Sequence, residues 1–283
     1  MEHLRKPEWL KVKIGANERY AETKRIVDTH KLHTICSSGR CPNLGECWGR
    51  GTATFLIAGA ICTRSCKFCN TPSGKPLPLD PGEPRRVAES IRLMNLTHAV
   101  ITSVDRDDLP DGGAGHWRDT LLQSKTMNPE VTIEALIPDF GGRELLIEQI
   151  LETHPEIVAH NLETIRRLTP TVRSVARYET SLKVIRSIAS SGIVAKSGIM
   201  VGLGETTSEV EELMDDLLEA GCRILTIGQY LQPTRKHYPV AEYVHPEQFR
   251  RYAATGRAKG FSRVESGPLV RSSYHAEKHL QAE

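Results

Sequence analysis

The sequence has no run approaching the roughly 20 apolar residues of a membrane-spanning helix, so no bilayer span is expected. Its opening stretch, Met1-Glu2-His3-Leu4-Arg5-Lys6-Pro7-Glu8-Trp9, lacks the apolar centre of a secretory signal. Both absences point to a cytoplasmic protein with no membrane partner. An excess of one charge is also missing. With 37 Lys and Arg against 35 Asp and Glu, the net charge is +2, without the basic surplus that extended nucleic-acid contact draws on. Nucleic acid is therefore not an expected partner. No Ser/Gly linker, low-complexity tract or internal repeat marks a second folded domain. At roughly 150 residues per domain, the length suits two domains or one large α/β barrel.

What is present is an alternation of short apolar strands and amphipathic segments from about residue 52 onward. The windows 52–58, 98–103, 131–137, 157–160, 194–201 and 223–229 read as strands buried on both faces, the kind a covered parallel sheet requires. Between them, apolar residues recur at helical spacing, as in Val87/Ile91/Met94, Leu162/Ile165/Leu168 and Val210/Leu213/Met214/Leu217. A last helix carries Pro246 near its start. Six βα units imply an α/β fold with a parallel sheet, either doubly wound or closed part of the way into a barrel. Barrel enzymes place their working groups at the carboxyl ends of strands. Cysteines follow the first strand at once, and they favour a partial, six-stranded parallel βα barrel over 52–262. An N-terminal extension (1–51) and a C-terminal tail (263–283) flank it.

Six of the seven cysteines lie between Cys36 and Cys69. Without a secretory signal they are expected to be reduced thiols, available as metal ligands or catalysts. Cys62-x3-Cys66-x2-Cys69 sets three thiols within eight residues, with no fourth Cys on either flank. A structural zinc normally closes its tetrahedron with four protein ligands, so a zinc site here needs a ligand from elsewhere. A four-iron cluster on three thiolates instead keeps one iron open. Upstream, Cys36-x4-Cys41-x5-Cys47 forms a second group, too distant to share that loop. A second iron–sulfur cluster is the natural expectation, since half a zinc ribbon would show two close cysteine pairs.

The 62–69 spacing after an apolar strand resembles the radical S-adenosylmethionine (SAM) superfamily, in which the open iron binds the methionyl part of SAM. The two cysteine groups are followed by Thr102-Ser103-Val104-Asp105-Arg106-Asp107-Asp108-Leu109 and Lys196-Ser197-Gly198-Ile199-Met200-Val201-Gly202-Leu203-Gly204-Glu205. Gly228-Gln229-Tyr230-Leu231-Gln232-Pro233 and Arg271-Ser272-Ser273-Tyr274 come next. In this order the set closely resembles the lipoyl synthase family along nearly the whole chain.

That resemblance implies a sulfurtransferase that inserts two sulfur atoms at carbons 6 and 8 of a protein-bound octanoyl group, forming the lipoyl cofactor. Such carbons bear no activating group, so proton abstraction by a side chain fails and the cofactor supplies a radical. The implied cofactors are two 4Fe–4S clusters and SAM, two molecules per lipoyl group. One cluster takes Cys62, Cys66 and Cys69. The auxiliary one takes Cys36, Cys41, Cys47 and, as fourth ligand, Ser273, and is consumed as sulfur donor. A hard serine oxygen on a soft cluster is the bond most readily given up. The implied partners are octanoylated lipoyl carrier domains (a 2-oxoacid dehydrogenase subunit or the glycine cleavage carrier protein), an electron donor such as ferredoxin or flavodoxin, and an iron–sulfur carrier protein. Other readings are another radical SAM enzyme with an auxiliary cluster, or a non-catalytic iron–sulfur or zinc module.

For SAM, the resemblance points to Asn161 and Glu163 after the fourth strand, although Asn161 also suits a helix N-cap. Lys196 on the fifth strand, Thr102 and Ser103 at the end of the second and Gln229 at the end of the sixth complete the expected set. Each also fits a solvated strand end. The loop with Arg106, Asp107, Asp108 and glycines 112, 113 and 115 is expected to wall the active site or merely to connect. His116 and Trp117 read as surface or packing residues, Cys222 as a small buried hydrophobe, and Arg271 as a charge neutraliser near the tail.

Overall fold

The computed structural model describes residues 5–12 and 17–279; residues 1–4, 13–16 and 280–283, parts of the opening stretch, the N-terminal extension and the tail, lie outside them. One eight-stranded sheet runs in chain order: β1 (His33–Thr34), β2 (Thr54–Ile57), β3 (His98–Ser103), β4 (Thr132–Leu136), β5 (Ile157–Ala159), β6 (Val194–Val201), β7 (Ile224–Gln229) and β8 (Arg263–Gly267). All neighbours pair in parallel except β1, which lies antiparallel on β2. The first and last strands do not pair with each other, so the barrel stays open.

The expected α/β partial barrel is present, with eight strands instead of six. The two added strands escaped the apolar-run criterion for physical reasons. β1 is two residues long, and β8 is the polar stretch Arg-Val-Glu-Ser-Gly, only Val264 of which is buried. Backbone pairing to a neighbour, not side-chain burial, makes each a strand.

Helices precede the barrel as α1 (Glu18–Thr29), α2 (Ile35–Ser38) and α3 (Leu44–Gly49). Around it lie α4 (Glu83–Leu93), α5 (Ala114–Met127), α6 (Glu144–Leu151), α7 (Thr169–Val172), α8 (Tyr178–Ser190), α9 (Thr207–Glu219) and α10 (Pro246–Lys259). Local chemistry sets their ends. The Thr206 hydroxyl accepts from the Glu209 amide while the Glu209 carboxylate accepts from the Thr206 amide, a capping box that starts α9. Pro246 opens α10, and Gly260, at φ +117°, closes it in the left-handed region that side chains resist. Val210, Leu213, Met214 and Leu217 then bury the face of α9 turned to the sheet.

The periodic segment Leu162/Ile165/Leu168 is not the expected helix. After β5 the chain keeps pairing with β6: the Glu163 amide donates to the Gly198 carbonyl at 3.0 Å, and the Glu163 carbonyl accepts from the Met200 amide at 2.9 Å. Glu163 sits at φ +67°, which no right-handed helix accommodates. Its three apolar neighbours are buried all the same, so a spacing of three matched a helix face without being one.

Candidate active site

At the carboxyl ends of β2–β7 opens a cavity of about 350 Å³, walled by Cys62, Cys66 and Cys69, by Cys36 and Cys41, by the strand ends and by residues 270–273; Cys47 does not line it. The 62–74 loop is closed on itself. The Cys62 amide donates to the Pro72 carbonyl at 2.8 Å, and the Gly74 amide returns to the Cys62 carbonyl at 2.9 Å. The rest of the barrel grips it too: the Lys67 amide donates to Val172, the Tyr238 amide to Lys67, and His237 Nε2 to the Cys69 carbonyl. Cys62 Sγ accepts from the Arg64 and Asp105 amides at 3.4 and 3.3 Å. Those two donors suit a thiolate. Burial and the Asp105 carboxylate push the Cys62 thiol up to about 12.

Inside this loop Arg64 faces three carboxylates, Asp107 at 2.7 Å, Asp139 at 2.8 Å and Asp105 at 3.3 Å, from the ends of β3 and β4. Burial alone would raise Asp139, yet the guanidinium brings it down to about 2. Asp139 was not legible as a site residue, although its place three residues past β4 is where a barrel puts working groups. Of the 105–108 loop only Asp105 lines the cavity. Asp107 holds Arg64, and Arg106 binds Asp108 and the Ala58 carbonyl, so these are braces.

Of the second group, Cys36 sits on α2, Cys47 on α3 and Cys41 in the link between them. Burial pushes Cys36 up to about 11, and burial with the neighbouring Cys36 and Cys41 pushes Cys47 up to about 12. Asn70 Nδ2 donates to the Ser38 carbonyl at 2.7 Å and joins the two cysteine segments. The tail completes this wall. Asn43 Nδ2 donates to the Leu269 carbonyl at 2.7 Å, and Thr54 Oγ1 to Ser273 Oγ at 2.8 Å. Thr54 also stands beside Cys36, and Ser273 lines the cavity with Cys36 and Cys41. Two glycines let the tail in: a Cβ on Gly228 would lie 2.1 Å from the Val270 carbonyl oxygen, and one on Gly198 would lie 3.2 Å from Ser272 Oγ.

Among the described residues no group of three or more His, Cys, Asp or Glu is arranged to hold a single metal ion. Three thiols in one short loop fit a four-iron cluster that keeps one iron open, whereas a structural zinc closes its tetrahedron with four protein ligands. Arg271, with Cys41 nearby, is lowered by burial and raised by that thiol.

The expected SAM residues divide. Thr102, Ser103, Asn161, Glu163 and Gln229 line the cavity. The Thr102 hydroxyl donates to Leu136, and Ser103 accepts from Trp117 Nε1 at 3.0 Å. Asn161 caps no helix: its Nδ2 donates to Glu163 Oε1 and, at 2.7 Å, to Ser272 Oγ, leaving its buried Oδ1 without a partner. Burial raises Glu163, against Arg173 and Asn161. Gln229 is spent on the 230–244 segment, binding Tyr230, Glu242 and Val244. Lys196 does not line the cavity. It is fully buried against Glu134, Ser272 and His279 because its position on β6 lies a layer below the strand ends. His116 is buried on Glu83 at 2.6 Å, and Cys222 is buried with its Sγ donating to the Ile224 carbonyl at 3.3 Å.

Sheet, cavity and cysteine loop together define the radical SAM class, and the pattern of the Radical SAM superfamily matches residues 56–217. Among solved structures, SuiB of Streptococcus suis bound to S-adenosylmethionine superposes with a TM-score of 0.61, at 11% identity over 80% of this chain and 55% of that one. Methylornithine synthase (PylB) gives 0.53, at 11% identity over 95% and 90%. Both show the fold alone. Curated relatives are far nearer. Lipoyl synthase of Bacteroides fragilis (strain YCH46) is 72% identical over 98% of this chain and 96% of its own. That of Treponema denticola is 58% identical over 98% and 95%. The chain belongs to the lipoyl synthase family and is a lipoate-forming radical SAM enzyme. Among the described residues no helix is long and apolar enough to cross a membrane.

Proposed function

We propose that the chain inserts sulfur at carbons 6 and 8 of an octanoyl group carried on a lysine of a lipoyl carrier domain. The observation that carries this reading is the meeting of Cys62, Cys66 and Cys69 with Cys36, Cys41 and Ser273 on the walls of one cavity, with Cys47 beside Cys36 and Cys41. Cys62, Cys66 and Cys69 bind one 4Fe–4S cluster, while Cys36, Cys41, Cys47 and Ser273 bind the auxiliary one. When bound, the first cluster with SAM supplies the 5'-deoxyadenosyl radical that removes hydrogen, and the auxiliary cluster supplies the sulfur.

The chain's own residues bind and orient. Asn161 offers its free buried Oδ1, and Glu163 its carboxylate, to the polar parts of SAM, with Thr102 and Ser103 on the facing wall. Arg64 and its carboxylates keep the cysteine loop in register with the β3 and β4 ends. Apolar walls from Leu56, Leu136 and Ile199 exclude water and suit an aliphatic substrate. Two SAM molecules per product, an outside reductant such as ferredoxin or flavodoxin, and an iron–sulfur carrier that rebuilds the auxiliary cluster follow from this chemistry. The extension (1–51) and the tail, which begins after β8 and not at 263, bring the auxiliary ligands to the SAM barrel.

The test is anaerobic turnover of cluster-loaded protein with an octanoylated carrier peptide, SAM and reductant. Mass spectrometry should find a product with two added sulfurs and 5'-deoxyadenosine at about twice its amount. SAM cleavage with no sulfur gained by the peptide would overturn the reading.

A further inference from the structure

Below the cavity lies a charged group that the reaction outlined above does not use. Lys196 Nζ donates to Glu134 Oε1 and to the Ser272 carbonyl, both at 2.6 Å, and lies 3.0 Å from His279 Nδ1. The Lys196 and Glu134 side chains have no exposed surface. All three ammonium protons are therefore taken, and none points at the cavity. His98 and His279 approach the other Glu134 oxygen at 3.8 and 3.6 Å.

A buried ion pair contributes little net stability compared with apolar residues of the same size, and its best-attested use is to set register. Here the register in question is that of the tail. Ser272 is held twice, by Lys196 at its carbonyl and by Asn161 at its hydroxyl. Gly198 leaves the room for it. One peptide unit further on, Ser273 accepts at its Oγ from Thr54 and lines the cavity with Cys36 and Cys41.

We propose that Lys196, fixed by Glu134, is a positioning residue that clamps the Ser272 carbonyl and thereby seats Ser273 against Cys36, Cys41 and Cys47. This rests on Ser273 being an auxiliary-cluster ligand. Lys196 acts through the tail and does not touch SAM.

The test uses cluster-loaded, full-length Lys196→Met and Lys196→Met/Glu134→Gln; the second leaves no uncompensated buried carboxylate. Amide exchange across 268–279 should speed up ~10-fold or more as the tail opens. The Mössbauer spectrum of the auxiliary cluster should change to that of Ser273→Ala, and adding Lys196→Met to Ser273→Ala should change it no further. SAM cleavage should stay within ~3-fold while dithiolated product falls ~10-fold or more. Unchanged tail exchange, or a wild-type auxiliary spectrum, overturns the clamp, as does a raised KM for SAM with that spectrum intact. If Ser273→Ala itself keeps the wild-type spectrum, the ligand reading of Ser273 fails, and the exchange data still decide whether Lys196 holds the tail. If neither variant folds, wild-type exchange decides: tail amides as slow as those of β6 support the clamp, and loop-like exchange overturns it.

Discussion

Thr54 Oγ1 donates to Ser273 Oγ at 2.8 Å, a bond spanning 219 positions of the chain. It joins the first parallel strand, whose end launches the Cys62–Cys69 loop, to the tail that carries the expected serine ligand. Thr54 also stands beside Cys36, so one threonine lies between the upstream cysteine segment and the tail. Ser273, which as a tail residue has no local signal, stands at the cavity wall because of this contact and those of its neighbour Ser272.

Ser273→Cys should load iron fully, because thiolate is the softer and better partner for iron, and should still make 5'-deoxyadenosine. Lipoyl product should fall to near nothing, since the ligand no longer lets go. Wild-type product per chain, measured beside the 5'-deoxyadenosine count, would show that the weakness of serine is not what the chemistry uses.

Two clusters imply about eight irons and eight sulfides per loaded chain. Either triple Cys→Ala variant should hold about half. With Cys36, Cys41 and Cys47 replaced, reductive cleavage of SAM should remain and sulfur insertion should vanish. Full iron retention after replacing Cys62, Cys66 and Cys69 contradicts the assignment of that loop.

Arg64→Met leaves Asp139 and Asp105 facing each other in a buried site without their cation. Breaking a buried pair from one side costs about 3–5 kcal/mol. Urea unfolding of variant and wild type at equal cluster loading should reveal that loss, together with poorer iron retention by the Cys62 loop. An unchanged midpoint would falsify the view that this guanidinium fastens the loop to the barrel.

His160 donates from Nδ1 to the Ile137 carbonyl and accepts at Nε2 from the Ser181 hydroxyl, both at 2.9 Å. Burial, and then Arg173, lower it to about 4. Its folded pKa lies below the unfolded value of about 6.5, so in that window the unfolded chain takes a proton that the native state refuses. Stability is therefore complete above the upper value and is lost as pH falls toward the lower. From about pH 7 to pH 5 the loss should be about 2 kcal/mol. Urea midpoints of wild type against His160→Gln check it, and equal pH slopes would count against a neutral buried imidazole.

Much of this protein was legible because its signals are local. Windows 98–103 and 194–201 coincide with β3 and β6, since strands buried on both faces are mostly apolar. The cysteine spacings, too, are properties of short segments, and a loop that wraps one cluster needs its ligands close in the chain. Other features had no such signal. β1 and β8 exist through backbone pairing. Leu162, Ile165 and Leu168 matched a helix because burial at every third residue also suits a chain laid beside β6.

By itself, then, the sequence determined the class of fold and the two cysteine groups, because these follow from residue type and short-range spacing. Only the tertiary structure decided that Lys196 serves the tail while Asn161 and Glu163 face the cavity. A strand's side chains alternate in direction and descend in layers. Whether a given one reaches the cavity depends on barrel curvature and on where a segment 76 residues away is laid, as the Lys196–Ser272 contact shows.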